Sequence, residues 1–438
     1  MNNRILKYTF ITLLLLADIS MIMPTRHHFA ERHNYTFSSV PISHKLENTF
    51  SSNESFYAID SIFTHFMGHW NIKGASMAIA KNGKLVFTKG YGFANKEANE
   101  LVAPHHIFRI ASVSKLVTAV AIMKLIEKGN IQLHQSVFGK NGILNSPEYN
   151  DIFDKRAKEI TIHHLLNHSA GWSRRKPDPM FTHFTIAREM NVELPLTTET
   201  IIQYALSRPL DFHPGEKSSY SNLGYAILGK VIEVASGMTY EGFVKTEILH
   251  PLGIFDMNLA KTHYKDRYEN EVKYYGPEHY GKVRAIDGSG EYVPRAYGGN
   301  NMETISAAGG WLASPTELMK FILAIDGFES KPEILTQESI DMMVKHGNNF
   351  FPYGWRGARE GFWWRTGTLT GSSALVARQS NGISWIVLFN TTTANAGRFP
   401  RHVHKTMNHV LTSVSSWPSY DLFDFVNSSN KEIYLALK

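Results

Sequence analysis

Three short clusters in this chain combine residue types that can carry out acyl transfer. In Ile110-Ala111-Ser112-Val113-Ser114-Lys115, a serine and a lysine stand three residues apart where a helix is predicted to begin. That spacing puts both on one helical face, with about 5–6 Å between Cβ atoms. A serine hydroxyl is a weak nucleophile without a neighbouring base. Lysine, with a free pKa of about 10.4, serves as that base only when desolvated or set beside another cation. The amino end of a helix also turns backbone N–H groups towards the serine, where an oxyanion would develop.

The second cluster is Tyr220-Ser221-Asn222, after Pro214-Gly215 and ahead of a helix predicted from near Gly224. Tyrosine, with a free pKa of about 10, can pass a proton if cations pull that value down. Asparagine offers both a donor and an acceptor. The third cluster, Trp364-Arg365-Thr366-Gly367-Thr368, falls on a predicted strand. Arg365 has the fork to bind a carboxylate through two parallel hydrogen bonds, and Gly367 lets a substrate backbone come close. Each cluster also has an ordinary reading: an N-cap serine with a surface lysine, a turn with a packed aromatic, an edge strand with an exposed arginine.

The elements that must position these residues come from both ends of the chain. Ala75–Ala80 and Leu85–Gly90 flank Asn82-Gly83 and read as a hairpin with a type I′ turn. Ser373–Ala377 and Ile383–Asn390 flank Asn381-Gly382 and read as a second one, preceded by a strand over Phe362–Gly367. Ile59, Ile62, Phe63 and Phe66 share a helical face before the first hairpin, and Val403, Met407, Val410, Leu411 and Val414 share one after the last. Each of these helices is expected to cover one face of the sheet. Between the clusters the chain reads as mainly helical, with helices over Ser112–Gly129, Tyr225–Ser236 and Pro315–Ile325. The expected fold class is therefore α/β (α+β). A five-stranded, mostly antiparallel sheet from both chain ends is flanked by helices, and a mainly helical region at about 112–327 is inserted into it.

Read along the chain, the clusters run S-x-x-K, Y-x-N and R-T-G, on a helix start, a loop and a strand. This order resembles the serine β-lactamase and penicillin-binding-protein superfamily. The Y-S-N form is similar to the class C β-lactamase-related branch, with its D-alanyl carboxypeptidases, D-aminopeptidases and esterases. Phe108-Arg109-Ile110-Ala111, Leu165-Leu166-Asn167-His168-Ser169-Ala170-Gly171, Phe212-His213-Pro214-Gly215 and Gly309-Gly310-Trp311 fit that branch as well. The resemblance spans roughly residues 56–415. It implies a β-lactamase/transpeptidase-like fold in which Ser112 is acylated and Lys115 helps deprotonate it. Tyr220 would pass a proton to the leaving group, and Asn222 would hold the substrate and the lysine. Arg365 would stand where the branch usually has Lys or His, and Thr366, Gly367 and Thr368 would complete the substrate-binding strand. The N–H groups of Ser112 and Thr368 would form the oxyanion hole. Arginine keeps the positive charge of that position but cannot act as a base, so it suits carboxylate binding and electrostatic support of Tyr220, and close equivalence to true β-lactamases is not expected.

Composition narrows the classes further. The chain has 438 residues, 45 Lys and Arg against 39 Asp and Glu, and no cysteine. Disulfide scaffolds, cysteine metal sites and thiol nucleophiles are thereby excluded. The net charge of +6 comes with no basic run, so a nucleic-acid partner is not expected. His163, His164 and His168 lack an H-E-x-x-H pattern, so no metal is assigned to them, and no cofactor is implied. Arg4 and Lys7 precede the apolar stretch Tyr8–Ala17, which reads as a signal peptide or amino-terminal anchor over 1–24. A linker at 25–55, a hydrolase domain at 56–415 and a carboxyl tail at 416–438 follow. The expected protein is an exported serine hydrolase, periplasmic, secreted or anchored on the outer face of the membrane. Its expected partner is a small-molecule or peptide substrate with a carbonyl and a free carboxylate, in the manner of a D-alanyl peptide or β-lactam. A carboxylesterase, or a non-catalytic penicillin-recognising or envelope-binding homologue, are the alternatives.

Overall fold

The computed structural model describes residues 41–424, apart from positions 53, 346, 348, 360 and 394–396. The stretch read as a signal or anchor at 1–24, the start of the linker and the end of the tail lie outside the described residues. The strands in chain order are β1 (Gly74–Lys81), β2 (Lys84–Asn95), β3 (Glu100–Leu101), β4 (Phe108–Arg109), β5 (Asn258–Leu259) and β6 (Lys282–Arg284), then β7 (Tyr292–Pro294), β8 (Trp311–Ala313), β9 (Gly357–Arg359), β10 (Phe362–Leu369), β11 (Ser372–Arg378) and β12 (Ile383–Phe389). Five helices bear on the site: α1 (Tyr57–His69), α2 (Ser114–Glu127), α3 (Asn222–Ser236), α4 (Pro315–Leu323) and α5 (Phe399–Ser413).

The main sheet has seven antiparallel strands in the order β3-β2-β1-β12-β11-β10-β9. Its inner five are the strands expected from sequence. The two added edges, β3 and β9, are two and three residues long, too short for an alternation to show. The chain ends meet at β1 and β12, where Ala75 pairs with Phe389 and Lys81 with Ile383. Asn82 and Gly83 both have positive φ, 51° and 77°, as a type I′ turn requires. The second hairpin is different. Its strands stop at Arg378 and Ile383, and of the Asn-Gly pair only Gly382 has positive φ, at 79°. A four-residue loop replaces the two-residue turn, and the Gly382 carbonyl accepts the Asn82 N–H at 2.8 Å.

β11 and β12 are buried along their whole length and β1 along all but its last residue, because both faces of the sheet are covered. Both terminal helices lie on the same face, rather than one on each. Ile59, Phe63 and Phe66 of α1 and Val403, Met407 and Val410 of α5 pack with Met77, Ile79, Val387 and Phe389. The opposite face belongs to the helical region. There Ala78, Ala80 and Ala374 join a core with Leu116, Val117, Leu318 and Ile322. Small side chains on that face let α4 settle against β1 and β12.

Residues 42–56 carry three short 3₁₀ turns with Ile42, Leu46, Ser51 and Phe56 buried, so the stretch expected as linker folds onto the body from Pro41 onward. Near the other end, Leu422 donates its N–H to the Leu85 carbonyl at 2.9 Å, and Asp421 accepts the Leu85 N–H at 2.9 Å. Among the described residues no helix is long and apolar enough to cross a membrane.

Candidate active site

Ser112 lies in a 3₁₀ turn, Ala111–Val113, that runs directly into α2. The turn is clamped from two sides. Ile110 donates its N–H to the Trp311 carbonyl at 3.0 Å, and the Ser114 hydroxyl accepts the Trp311 N–H at 3.1 Å. Ala111 is held at φ +47°, a left-handed conformation that costs a non-glycine residue about 1–3 kcal/mol and persists only where the surroundings impose it. β10 supplies the third side. A Cβ added to Gly367 would stand 2.3 Å from the Ile110 carbonyl oxygen and 2.9 Å from the Ser112 nitrogen. Only glycine lets the strand backbone run against the Ser112 turn.

Lys115 sits in the first turn of α2 and is fully buried. Its Nζ donates to Asn222 Oδ1 at 2.7 Å and to the Ala308 carbonyl at 2.5 Å, and stands 3.4 Å from Ser112 Oγ. Burial pushes its pKa down to about 8; Tyr220 opposes this and Arg365 adds to it.

Tyr220 and Asn222 flank Ser221, the N-cap of α3, whose Oγ accepts the Gly224 N–H at 3.1 Å. That cap fixes the directions of both neighbours. The Tyr220 hydroxyl is 2.8 Å from Ser112 Oγ and accepts a hydrogen bond from Arg365 Nη2 at 2.8 Å. Burial alone would raise its pKa, but the charges of Arg365 and Lys115 outweigh it and hold it at about 7. S-x-x-K, Y-x-N and R-T-G, far apart in the chain, thus meet around one serine hydroxyl.

Arg365 does not offer its fork to solvent. It is 1% exposed, with Nε on the Ser112 carbonyl at 2.7 Å and Nη2 on Tyr220. In place of the two-pronged carboxylate contact expected from its type, it makes bonds to the Ser112 carbonyl and to Tyr220, the second consistent with the electrostatic support of Tyr220 also expected of it. Thr366 and Thr368 alternate to the opposite face of β10 from Arg365 and Gly367.

Two further residues support the site. Asp178 accepts both the backbone N–H and the Nδ2 of Asn222, at 3.1 and 3.0 Å, and so turns Asn222 Oδ1 towards Lys115. Asp178-Pro179 marks a turn in the sequence, but nothing there points to a partner 44 residues on. His168, buried at φ +62°, lies against the Tyr220 ring with 4.6 Å between centroids. Its Nδ1 accepts the Ser221 N–H at 3.1 Å, and burial, with Arg365 and Lys115 nearby, keeps it neutral. His163 is bonded to Tyr353 and Asn167. Among the described residues no group of three or more His, Asp or Glu is placed to hold a metal ion. A cleft of about 810 Å³ opens beside the Tyr220–Asn222 loop, walled by Trp172, Phe181 and Tyr204.

The family model described as Beta-lactamase matches residues 59–405. The chain belongs to the beta-lactamase family. Among curated relatives, Protein flp of Staphylococcus aureus (strain COL) is 27% identical over 218 residues, covering 50% of this chain and 41% of that protein. Esterase EstB of Burkholderia gladioli is 27% identical over 247 residues, covering 55% and 59%. The chain thus spans less than two thirds of the length of either relative. The octameric penicillin-binding protein homologue from Pyrococcus abyssi superposes with a TM-score of 0.59 at 26% identity, covering 80% of this chain and 76% of that one. D-amino acid amidase from Ochrobactrum anthropi SV3 shares the fold, with a TM-score of 0.62 at 22% identity over 83% and 99% of the chains. Beta-lactamase-family membership with amidase, esterase and penicillin-binding-protein neighbours marks the fold as that of a serine hydrolase.

Proposed function

We propose that the protein is an exported serine hydrolase that forms an acyl-enzyme at Ser112 with an amide, lactam or ester carbonyl. The observation that carries this reading is the contact of Ser112 Oγ with a Tyr220 hydroxyl whose pKa is drawn down to about 7. Ionised Tyr220 takes the Ser112 proton as Oγ attacks the carbonyl carbon. Lys115, kept as ammonium by Asn222 and the Ala308 carbonyl, stabilises the phenolate. The carbonyl oxygen becomes an oxyanion facing the N–H groups of Ser112 and Thr368. When the carbon–leaving-group bond breaks, Tyr220 returns the proton to the departing nitrogen or oxygen. It then takes a proton from water, whose oxygen attacks the acyl carbon, and passes that proton to Ser112 Oγ as the ester bond breaks and the acid product leaves.

A D-alanyl peptide or β-lactam-like compound is the favoured substrate. A carboxylesterase is the second reading, favoured by the similarity to Esterase EstB and by the engagement of Arg365 within the site. Export rests on the Arg4, Lys7 and Tyr8–Ala17 pattern. Intact mass after treatment with a fluorophosphonate tests the chemistry. One adduct is expected on the native chain and none on Ser112→Ala; an adduct surviving in Ser112→Ala overturns the proposal. Turnover of an ester, a β-lactam and a D-Ala-D-Ala peptide then separates the substrate classes. Binding of the peptide without turnover, unchanged in Ser112→Ala, would favour a non-catalytic homologue. Recovery of the expressed chain in the cell interior with an intact amino terminus would count against export.

A further inference from the structure

Exposed aromatic side chains gather beside the mouth of the cleft. The 3₁₀ turn Pro179–Phe181 runs into the helix His183–Met190, which buries His183 and Ile186. Phe181, Phe184 and Arg188, spaced three and four apart, fall on its outer side. Phe181 is 45% exposed and Phe184 38%, and Phe181 also walls the cleft. Next to them β6 and β7 form a two-stranded sheet of their own. Val283 opposes Val293, and both turn towards the body. A Cβ added to Gly298 would stand 2.8 Å from Val293 Cγ2, and one added to Gly299 3.0 Å from Val283 Cγ2. Alternation then sends Lys282, Arg284 and Tyr292 outward. Tyr292 is 68% exposed and lies directly opposite Arg284, whose guanidinium carbon is 5.2 Å from the Phe184 ring centroid. The helix and the hairpin thus share one outer surface.

Rings left in water forgo the burial that stabilises a fold, so three on one surface with cations between them mark a place that something covers. Among the described residues no ion pair engages Arg188, Lys282 or Arg284. Nearby, Glu189 is held by Arg208 and Asp287 by His263 at 3.5 Å. Glu193 and Glu291, next to exposed Val192 and Tyr292, temper the charge without cancelling it. The chemistry required of the cover is anionic at the top and apolar beneath. A bilayer with anionic headgroups has that order: guanidinium and ammonium groups meet the phosphates, and Phe and Tyr rings enter the boundary with the acyl chains. The apolar-walled cleft, of about 810 Å³, opens at Phe181 on the edge of this same surface, which favours lipid over another folded protein.

We propose that the surface formed by Phe181, Phe184, Arg188, Lys282, Arg284 and Tyr292 docks onto an anionic lipid bilayer. The rings enter the headgroup layer, the three cations lie among the phosphates, and the mouth of the cleft faces the acyl chains. All six residues lie outside the three motifs and touch none of the groups around Ser112, so the docking surface is separate from the catalytic group.

The test needs no turnover: a chain that docks without hydrolysing keeps the inference, and one that hydrolyses without docking removes it alone. The chain has no cysteine, so Phe184→Cys, Tyr292→Cys and, on exposed Tyr57 of α1, Tyr57→Cys each carry one polarity-sensitive dye. On vesicles of equal phosphatidylglycerol and phosphatidylcholine, the dyes of the first two are expected to shift to the blue and that of the third to stay. The partition coefficient of the full native chain on these vesicles should exceed that on phosphatidylcholine alone about tenfold or more, and fall as salt rises. Arg284→Glu, and separately Phe184→Ser with Tyr292→Ser, should each lower it about tenfold or more. The dyes, read on chains otherwise native, guard against variants that fail to fold. Unmoved dyes at both positions, as attachment through residues 1–24 alone would give, overturn the proposal. So does an equal shift in Tyr57→Cys. A shift that follows protein concentration without lipid overturns it in favour of a second copy of the chain, and binding to heparin with no shift on vesicles in favour of a soluble polyanion.

Discussion

At Ser112 the hydroxyl proton has two acceptors within reach, and distance and charge choose between them. Tyr220 is 2.8 Å away and Lys115 is 3.4 Å away. The pKa of about 7 on the tyrosine and about 8 on the lysine place the anion on the phenol and the cation on the amine between those values. The two titrate as a pair, so a pH profile reports both. On the proposed roles, rising pH first ionises Tyr220, which activity requires, and then neutralises Lys115, which activity cannot tolerate. The kcat/KM for a neutral ester should therefore climb through about pH 7 and fall beyond about pH 8; a flat profile from about pH 6 to 9 would contradict the assigned roles. Asp178 is a positioning residue in this scheme, and its charge also raises the Lys115 pKa. Asp178→Asn should move the alkaline limb to lower pH, an effect that loss of a merely structural contact would not produce. In the sequence, Ser112, Lys115, Tyr220, Asn222 and Gly367 could be singled out because they fall in short patterns of fixed spacing. Asp178 and His168 could not be assigned their tasks, because each acts through one contact made across a loop. Of the two tasks expected of Arg365, the structure shows contacts only for the support of Tyr220, because residue type reveals a fork but not where it is aimed.

The elements that carry these residues depend on a few close approaches. Gly367 is the clearest, since β10 can touch the Ser112 turn only without a side chain there. Gly367→Ala is expected to cut kcat about 100-fold or more, the cost of a displacement near 1 Å at a reacting group. Its melting temperature should fall only modestly, because overpacking at one position costs about 1–3 kcal/mol. Full activity in that variant would mean that the strand and the turn are not in contact. The long strands were legible because continuous apolar runs and Asn-Gly pairs bounded them. The edges β3 and β9 were not, because two or three residues carry no periodicity. The second turn departs from the expected form because its strands end early, and which Asn-Gly adopts a two-residue turn depends on that register.

At the scale of the whole molecule, a carboxyl pair far from Ser112 in the chain, buried Asp326 and half-buried Glu333, makes stability depend on pH. Glu333 has its pKa pushed up to about 8 by burial and then by Asp326, itself raised to about 6 mainly by burial. Both folded values exceed the unfolded ones, so the stability these groups contribute is complete in acid and is lost as pH rises through about 6 and then about 8. Glu333→Gln should melt higher than the native chain at about pH 8.5, with the gain shrinking towards about pH 5.5. An equal difference at both values would argue against ionisation as the cause. The general layout, a sheet from both ends with helices inserted, followed from the order of the elements, whereas the face chosen by each terminal helix did not.

The junction of β1 with β12 also has a bearing on time. Ala75 must find Phe389, so more than 300 of the 438 residues lie between partners that form the centre of the sheet. Contacts of such long sequence separation are slow to form, because the loop-closure entropy comes before any reward. During vectorial synthesis the β1–β2 hairpin is complete early but keeps a bare edge until β12 emerges. The contact between β10 and the Ser112 turn also spans more than 250 residues, so the two sides of the site meet only after β10 has left the tunnel. On the proposed function, a partly made chain is inert, and competence to acylate arrives as a late event in the life of the molecule.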